Sequence, residues 1–202
     1  MPTFFICFIL FILWFRVKTK QSSKEENKSI EEFLTREQEA NFTRKKDISN
    51  REYISVNMEI LPFSDTTDEY EIQLENNVKK FADKKLLNLS GLTNTDIKLL
   101  YGSANLDILS SYDQNYTLLL RDLNKWGAYL FQKERYSDSK TVLEYALSLG
   151  SDITETYTTL AKIYLSEDSP EKVQKLIEQI SESDAYLKDS IKLSLIKLLQ
   201  EY

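Results

Sequence analysis

The sequence predicts an all-α protein, and three observations carry that prediction. Apolar residues recur at helical spacing from Thr67 to the end of the sequence. A continuous apolar run, Phe4 to Phe15, stands near the start and is followed by basic residues. Only one short stretch, Ile54 to Ile60, alternates with the period of a strand. With 202 residues, the chain has room for one compact domain plus an anchor or a tail.

The composition removes most kinds of active site. The chain has no histidine, and its single cysteine, Cys7, lies inside the apolar N-terminal run. Histidine acid–base chemistry, Ser/His/Asp and Cys/His arrangements, zinc sites and an internal disulfide framework are therefore unavailable. The four glycines show neither GxxxxGK[ST] nor GxGxxG spacing, so a phosphate-binding loop is not expected. We expect no enzyme activity, no cofactor, no metal and no small-molecule substrate.

The net charge of −6 is unevenly distributed. Residues 16–50 carry nine Lys/Arg against seven Asp/Glu, a balance of +2, and residues 51–202 carry seventeen against twenty-five, a balance of −8. The acidic second part argues against nucleic acid as a partner. The mildly basic part suits a surface of anionic lipids.

Residues 1–17 are predicted to form a transmembrane anchor. No Lys or Arg precedes the apolar run, whereas Arg16, Lys18 and Lys20 follow it, which is the reverse of a secretory signal peptide. The positive-inside rule then predicts a single-pass protein of the cell membrane with a cytoplasmic C-terminal domain. Such a helix would be about 25 Å long against a hydrocarbon core of about 30 Å. A re-entrant or peripheral anchor and an uncleaved export signal are the alternatives.

Residues 18–50 are predicted to form a charged juxtamembrane stalk that is helical in part. Their composition shifts to Lys, Glu, Ser, Asn and Gln, and their apolar stripe is too narrow to demand a core. The cluster Arg44–Lys45–Lys46 could touch lipid headgroups, although a solvated charged face is the commoner explanation for such a run.

Residues 51–65 are predicted to be extended. Ile54, Val56, Met58 and Ile60 fall on one side of the chain, and Pro62 ends the pattern. No second convincing strand is visible, and a lone strand cannot satisfy its own backbone groups. We expect the segment to lie across the helices on its apolar edge, with strand addition to another chain as the alternative.

Residues 66–202 are predicted to form one helical domain. Its first helix places Ile72, Leu74 and Val78 on one side, with Ser64 or Asp65 as the N-cap. The stretch "TNTDIKLLYGSANLDILSSYDQN" then predicts two short helices broken near Gly102. We expect the helices from Thr67 to Tyr112 to cap the helices that follow.

A shift of thirty-four residues superimposes the last part of the sequence on itself, and thirty-four is the tetratricopeptide period. The small residues Gly127 and Ala161 coincide where two helices of a unit would press together. Asp152 with Glu155, and Ser169 with Pro170, predict the starts of two helices. The shift also aligns two apolar columns, formed by Leu123, Tyr157 and Ile191 and by Leu130, Tyr164 and Leu198.

On these residues the chain resembles the tetratricopeptide repeat family over residues 120–153 and 154–187, with a closing helix at 187–200. Val173 and Ile180 stand where the family usually has alanine, and Ser151 stands where it has proline. The layout of anchor, stalk and repeats also resembles small membrane-anchored helical-repeat proteins of clostridia-like Gram-positive bacteria. The resemblance implies an α-α superhelical domain with a concave groove lined by the first helix of each unit.

The unit positions of the family identify the residues that would face this groove. Asn124 and Ala128 occupy the two places where family members that grip a terminal carboxylate carry lysine and asparagine, so that clamp is not supported. Three cations in the groove would suit an acidic or extended peptide, and ordinary solvated lysines are the alternative. The candidates are Arg121, Asn124, Lys125, Ala128, Phe131, Gln132, Thr158, Thr159, Lys162 and Leu165.

The expected function is that of an adaptor. A membrane-anchored repeat module would recruit or assemble a protein partner at the cytoplasmic membrane face. The alternative is a structural subunit of a membrane complex, held through the stalk and residues 54–60, with no groove ligand.

Overall fold

The computed structural model describes residues 2–202, and its description of side chains covers residue 8, residues 11–12, 14–16, 18–20 and 26–202. The all-α class is confirmed, because no strand occurs among these residues. Short 3-10 turns lie at Met58–Ile60 and Ser103–Asn105. The α-helices are α1 (Pro2–Phe42), α2 (Glu69–Lys79), α3 (Asn94–Tyr101), α4 (Leu106–Gln132), α5 (Tyr136–Ser148), α6 (Thr154–Ser166), α7 (Pro170–Glu182) and α8 (Lys188–Glu201).

The chain forms two compact units. The first unit consists of Met1–Asn50 and Ser90–Ile108, and the second unit consists of Arg51–Leu89 and Leu109–Tyr202.

α1 is one uninterrupted helix that extends over the predicted anchor and most of the predicted stalk. The predicted anchor, residues 1–17, lies partly outside the residues whose side chains are described. Among the part of the chain that is described, no helix combines the length and the apolar character needed to cross a membrane. The described apolar side chains in this part of α1 are all exposed to solvent, namely Phe8, Phe11, Ile12, Trp14 and Phe15.

In the first unit, α3 packs on the C-terminal part of α1. α3 begins with a capping box, in which the Thr93 hydroxyl accepts the Asp96 N–H and the Asp96 carboxylate accepts the Thr93 N–H. α3 ends at Tyr101, and its C-cap is Gly102, which has a φ of 92°. A Cβ at this position would lie 2.6 Å from Lys45 Cα, so only glycine fits.

The contact between α1 and α3 is mostly polar. Ala40 and Ile97 are the buried apolar side chains of this unit among the described residues. Around them the Glu37 carboxylate accepts hydrogen bonds from the Thr95 hydroxyl, at 2.5 Å, and from the Lys98 ammonium. Glu37 and Lys98 form one ion pair, and Arg36 and Asp96 form another at 2.5 Å. The Lys98 ammonium also donates a hydrogen bond to the Asn41 side-chain oxygen at 2.8 Å.

In the second unit, the alternating segment packs on the helices through its apolar edge. Ile54, Val56 and Met58 are partly buried against the core, and Ile54 forms a single antiparallel bridge with Leu86. The backbone N–H of Asn57 donates to the Tyr145 hydroxyl at 2.6 Å. The alternation therefore describes which side chains face the core as far as Met58. The prediction is wrong for Ile60, which lies in the 3-10 turn Met58–Ile60 and is 50% exposed.

The core of the second unit is apolar and has two clusters. The first cluster joins the extended segment to α2, α4 and α5 and contains Trp126, whose ring stacks on Phe63 with centroids 5.1 Å apart. The second cluster joins α5 to α6, α7 and α8. At Gly127 the α4 backbone lies against Leu143 of α5, and a Cβ on Gly127 would lie 2.5 Å from Leu143 Cγ.

The structure corrects several predicted helix ends. α4 continues from Leu106 to Gln132, because no proline or glycine interrupts residues 103–126. Asp68, instead of Ser64 or Asp65, caps α2. α6 has Ile153 at its N-cap and no side-chain cap bond, so the predicted Asp152–Glu155 capping box does not form. Ser169 and Pro170 do stand at the start of α7, although the Ser169 side chain makes no cap bond.

Candidate peptide groove

α6 is buried on nearly all sides. Tyr157, Leu160, Ala161 and Tyr164 pack into the second core cluster, and most of the other residues of the helix are buried as well. The residues that remain exposed or half-buried along its length recur every three or four positions, so they form one line on the helix. This line consists of Thr154 and Glu155 at the start of the helix and then Thr158, Lys162 and Ser166.

α4 presents a second line with the same spacing. Arg121, Lys125 and Gln132 are exposed, and Ala128 is half-buried between them. We call this line together with the α6 line the α4–α6 face.

A partly buried hydrogen-bond network joins the two helices beside this face. The Asn124 amide donates to the Glu155 carboxylate at 2.7 Å, and its oxygen accepts the Thr156 hydroxyl at 2.9 Å. Asn124 is only 6% exposed, so both of its polar groups are satisfied inside the domain and it is not accessible to a ligand.

The other predicted groove residues divide between the face and the interior. Arg121, Lys125, Ala128, Thr158 and Lys162 lie on the α4–α6 face, and the Thr158 hydroxyl donates to the Glu155 carbonyl at 3.3 Å. Gln132 lies there too. Thr159 and Leu165 are buried, and Phe131 is half-buried with its ring packed edge-on against Tyr136 at 5.3 Å.

Sequence reasoning missed Glu155 and Ser166 as members of the face. Glu155 was assigned to a capping box, although its spacing of three and seven residues from Thr158 and Lys162 places it on the same side of the helix.

The α4–α6 face is positively charged although the second unit as a whole is acidic. Arg121, Lys125 and Lys162 form no ion pair within the described residues, and Glu155 is the carboxylate that lies among them. Near the face, burial raises the pKa of Asp122, while Lys125 and Arg121 lower it. Arg121, Lys125 and Lys162 can therefore form ion pairs with the carboxylates of a ligand.

Two buried tyrosines, Tyr116 of α4 and Tyr164 of α6, donate hydrogen bonds within the second unit. Burial raises the pKa of Tyr116 to about 12, and its hydroxyl donates to the Leu149 carbonyl at 2.9 Å. The Tyr164 hydroxyl donates a hydrogen bond to the Glu144 carboxylate at 2.7 Å. Burial first, and this carboxylate second, raise the pKa of Tyr164. Both phenols stay protonated at physiological pH and connect neighbouring segments.

Among the described side chains, no group of three or more Cys, Asp or Glu residues is arranged to hold a metal ion. The α4–α6 face offers charge and hydrogen bonding, and it pairs no nucleophile with a base.

The chain matches no protein-family model, and comparisons with the curated proteins and with the solved structures find no match either. The tetratricopeptide interpretation therefore depends on the residues of this chain alone.

Proposed function

We propose that this protein is a membrane-tethered adaptor whose tetratricopeptide-like domain binds an acidic, extended segment of a protein partner at the cytoplasmic face of the cell membrane. The observation that carries the proposal is the α4–α6 face, where Arg121, Lys125 and Lys162 are exposed and unpaired within the described residues.

The shape of the face supports an extended ligand. The line from Glu155 to Ser166 on α6 is about 16 Å long at 1.5 Å per residue, which an extended peptide of about five residues would match. Ammonium and guanidinium groups make their strongest hydrogen bonds to ionised acceptors. An acidic peptide would therefore gain more from this face than a neutral one.

The exposed apolar side chains at the start of α1 support the tether. Phe8, Phe11, Trp14 and Phe15 are each more than half exposed, and such a cluster is costly in water. Arg16, Lys18 and Lys20 follow on the same helix, where they would meet anionic headgroups.

A peptide titration tests the groove. The full-length protein in mild detergent is titrated with a fluorescent peptide of alternating glutamate and alanine, and anisotropy reports binding. We expect the double reversal Lys125→Glu with Lys162→Glu to weaken binding about tenfold or more, because it replaces two attractions by two repulsions.

The matched control is Lys84→Glu with Lys175→Glu, which changes the net charge equally at exposed positions away from the α4–α6 face. Equal losses in both double variants, or no loss in the first, would reject the groove. The same pair of variants, tagged and purified from native membranes, then shows by mass spectrometry which partner depends on the face.

A protease-protection assay tests the tether and its orientation. A C-terminal tag should be digested in inverted vesicles and protected in sealed cells. Protection in the inverted vesicles, or release of the protein by a salt wash alone, contradicts a spanning anchor with a cytoplasmic domain.

The second candidate is a structural subunit held through the stalk. Ile30, Phe33 and Leu34 recur at helical spacing on α1 and are each about half exposed or more, which favours contact with another chain. Residues 54–60 favour it less, because Ile54, Val56 and Met58 are already packed on the core of their own unit. If Phe33→Ser with Leu34→Ser abolishes recovery of a partner while the face reversals do not, the structural subunit is the better account.

A further inference from the structure

A second apolar surface lies at the α7–α8 end of the second unit. The two helices enclose an open cleft of about 520 Å³ whose floor is formed by Ile177, Ile196 and Leu199. Next to it, Leu193 of α8 is 70% exposed. We call this surface the α7–α8 cleft.

Such a surface is unusual for a helix at the surface of a domain. A surface helix usually has a polar face on the side away from the core, because that face meets water. Here the outer part of α8 instead exposes Leu193 beside half-buried Ile196 and Leu199. Covering these side chains would remove apolar area from water and stabilise whatever packs there.

The charges around the α7–α8 cleft indicate what covers it. Glu178 and Glu182 stand on the α7 wall, and Lys192 stands on the α8 wall. None of the three forms an ion pair within the described residues, not even across the cleft. Opposite charges on opposite walls are self-complementary, since a two-fold axis places the α8 wall of one copy against the α7 wall of the other.

We propose that the α7–α8 cleft is the interface of a homodimer. In this dimer Leu193 of each chain enters the cleft of the second copy, and Lys192 pairs with Glu178 of the partner subunit. The two-fold symmetry makes every contact occur twice, so two leucines and two ion pairs contribute to one interface. The proposal is independent of the α4–α6 face and of any ligand bound there.

Light scattering of the full-length protein in mild detergent tests the dimer over a range of concentrations. The wild-type protein should have the mass of two chains. Leu193→Asp, Glu178→Lys and Lys192→Glu should each raise the dissociation constant about tenfold or more, because each places a charge in the apolar cleft or against a like charge. Glu178→Lys combined with Lys192→Glu should restore the dimer, since it exchanges the two partners of the same pair.

Lys84→Glu is the matched control, because it changes the net charge as Lys192→Glu does at an exposed position outside both the α7–α8 cleft and the α4–α6 face. Circular dichroism confirms that each variant is folded. A wild-type monomer at every concentration overturns the proposal and leaves the cleft to a partner of another kind. A dimer that survives all three single substitutions also overturns it, because the association then occurs elsewhere, as it would through α1. Failure of the combined exchange to restore the dimer rejects the ion pair.

Discussion

In the first unit α1 and α3 meet across ion pairs and hydrogen bonds, whereas in the second unit α4 and its neighbours meet across buried apolar side chains. Ala40 and Ile97 supply the described apolar burial in the first case, and two extensive clusters supply it in the second. Partly exposed ion pairs contribute little and depend on pH and salt. Apolar burial contributes more, and neither protonation of carboxylates nor screening of charges weakens it. We therefore expect the second unit to keep its structure under conditions that release α1 from α3.

The largest effect should come from removing the aromatic centre of the second unit. Trp126→Ala should lower the free energy of unfolding by about 3–5 kcal/mol, because Trp126 is fully buried and stacks on Phe63. Urea denaturation followed by circular dichroism measures it. Tyr186→Ala is the control, since Tyr186 is 96% exposed and its loss should cost no more than about 0.5 kcal/mol. Equal costs for the two variants would contradict an apolar core around Trp126.

A smaller loss should follow from adding one methyl group between α4 and α5. Gly127→Ala should cost about 1–3 kcal/mol in the free energy of unfolding, because the new Cβ would overlap Leu143. In a Leu143→Ala background the same change should become neutral or stabilising, since alanine favours a helix by about 1 kcal/mol over glycine. The double-mutant cycle thus separates crowding from helix propensity, and simple additivity would rule out the close approach.

In the first unit, the N-cap of α3 should matter more than any single surface charge. Thr93→Ala removes the hydroxyl that accepts the Asp96 N–H and donates to its carboxylate, and should cost α3 about 1 kcal/mol. Hydrogen exchange of residues 94–101 measures the local opening. Thr93→Ser keeps the hydroxyl and should exchange almost as slowly as the wild type. If the two variants exchange alike, the cap is not what holds the helix start.

The smallest expected effect, and the one most specific to the first unit, is the pH dependence of the contact between α1 and α3. The hydrogen bond from Lys98, and then that from Thr95, lower the pKa of Glu37 from its ordinary value of 4.5. Its stabilising contribution is therefore complete above pH 4.5 and is lost as the pH falls through the lower pKa of the folded state. Protection of residues 94–101 should fall over that window.

Glu37→Gln supplies the control for this pH dependence. Protection in the variant should be weaker at neutral pH and should vary less with acid, with Asp96 contributing the remainder because the Thr93 hydrogen bonds lower its pKa as well. Core amides of the second unit should respond at lower pH, because the hydrogen bond from Tyr129 lowers the pKa of Asp68, the N-cap of α2, to about 2. An identical pH profile in the variant and the wild type would show that the Glu37 contacts do not hold α3.

The periodic parts of the fold could be predicted from the sequence, and the contacts between distant polar residues could not. Apolar spacing predicted the helices that became α6, α7 and α8, because α7 and α8 each bury one side and α6 leaves only one line of residues uncovered. The unit positions of the tetratricopeptide family, by resemblance, named Arg121, Lys125 and Lys162 as surface residues, and all three are exposed. It did not reveal that Asn124 is used inside the domain, because its partners lie 31 and 32 residues away.

The same limit applies to the first unit. Glu37 and Lys98 are 61 residues apart, and a single polar pair leaves no periodic trace in a sequence. The uninterrupted α4 was missed for a different reason. The stretch that ends in "YDQN" was predicted to hold two short helices, although none of these four residues is a strong helix breaker and Tyr116, just beyond them, is anchored in the core.

Because α1 is continuous, its number of residues determines both the distance it spans and the direction in which the side chains at its end point. A helix of 41 residues is about 60 Å long, and each residue turns it by about 100°. Deleting one residue between Arg16 and Arg36 would rotate the side chains that contact α3 by more than a quarter turn relative to Trp14. Deleting seven residues would nearly restore their original direction. If the start of α1 is fixed in a lipid layer, the number of residues in this helix sets the direction in which the side chains that contact α3 point.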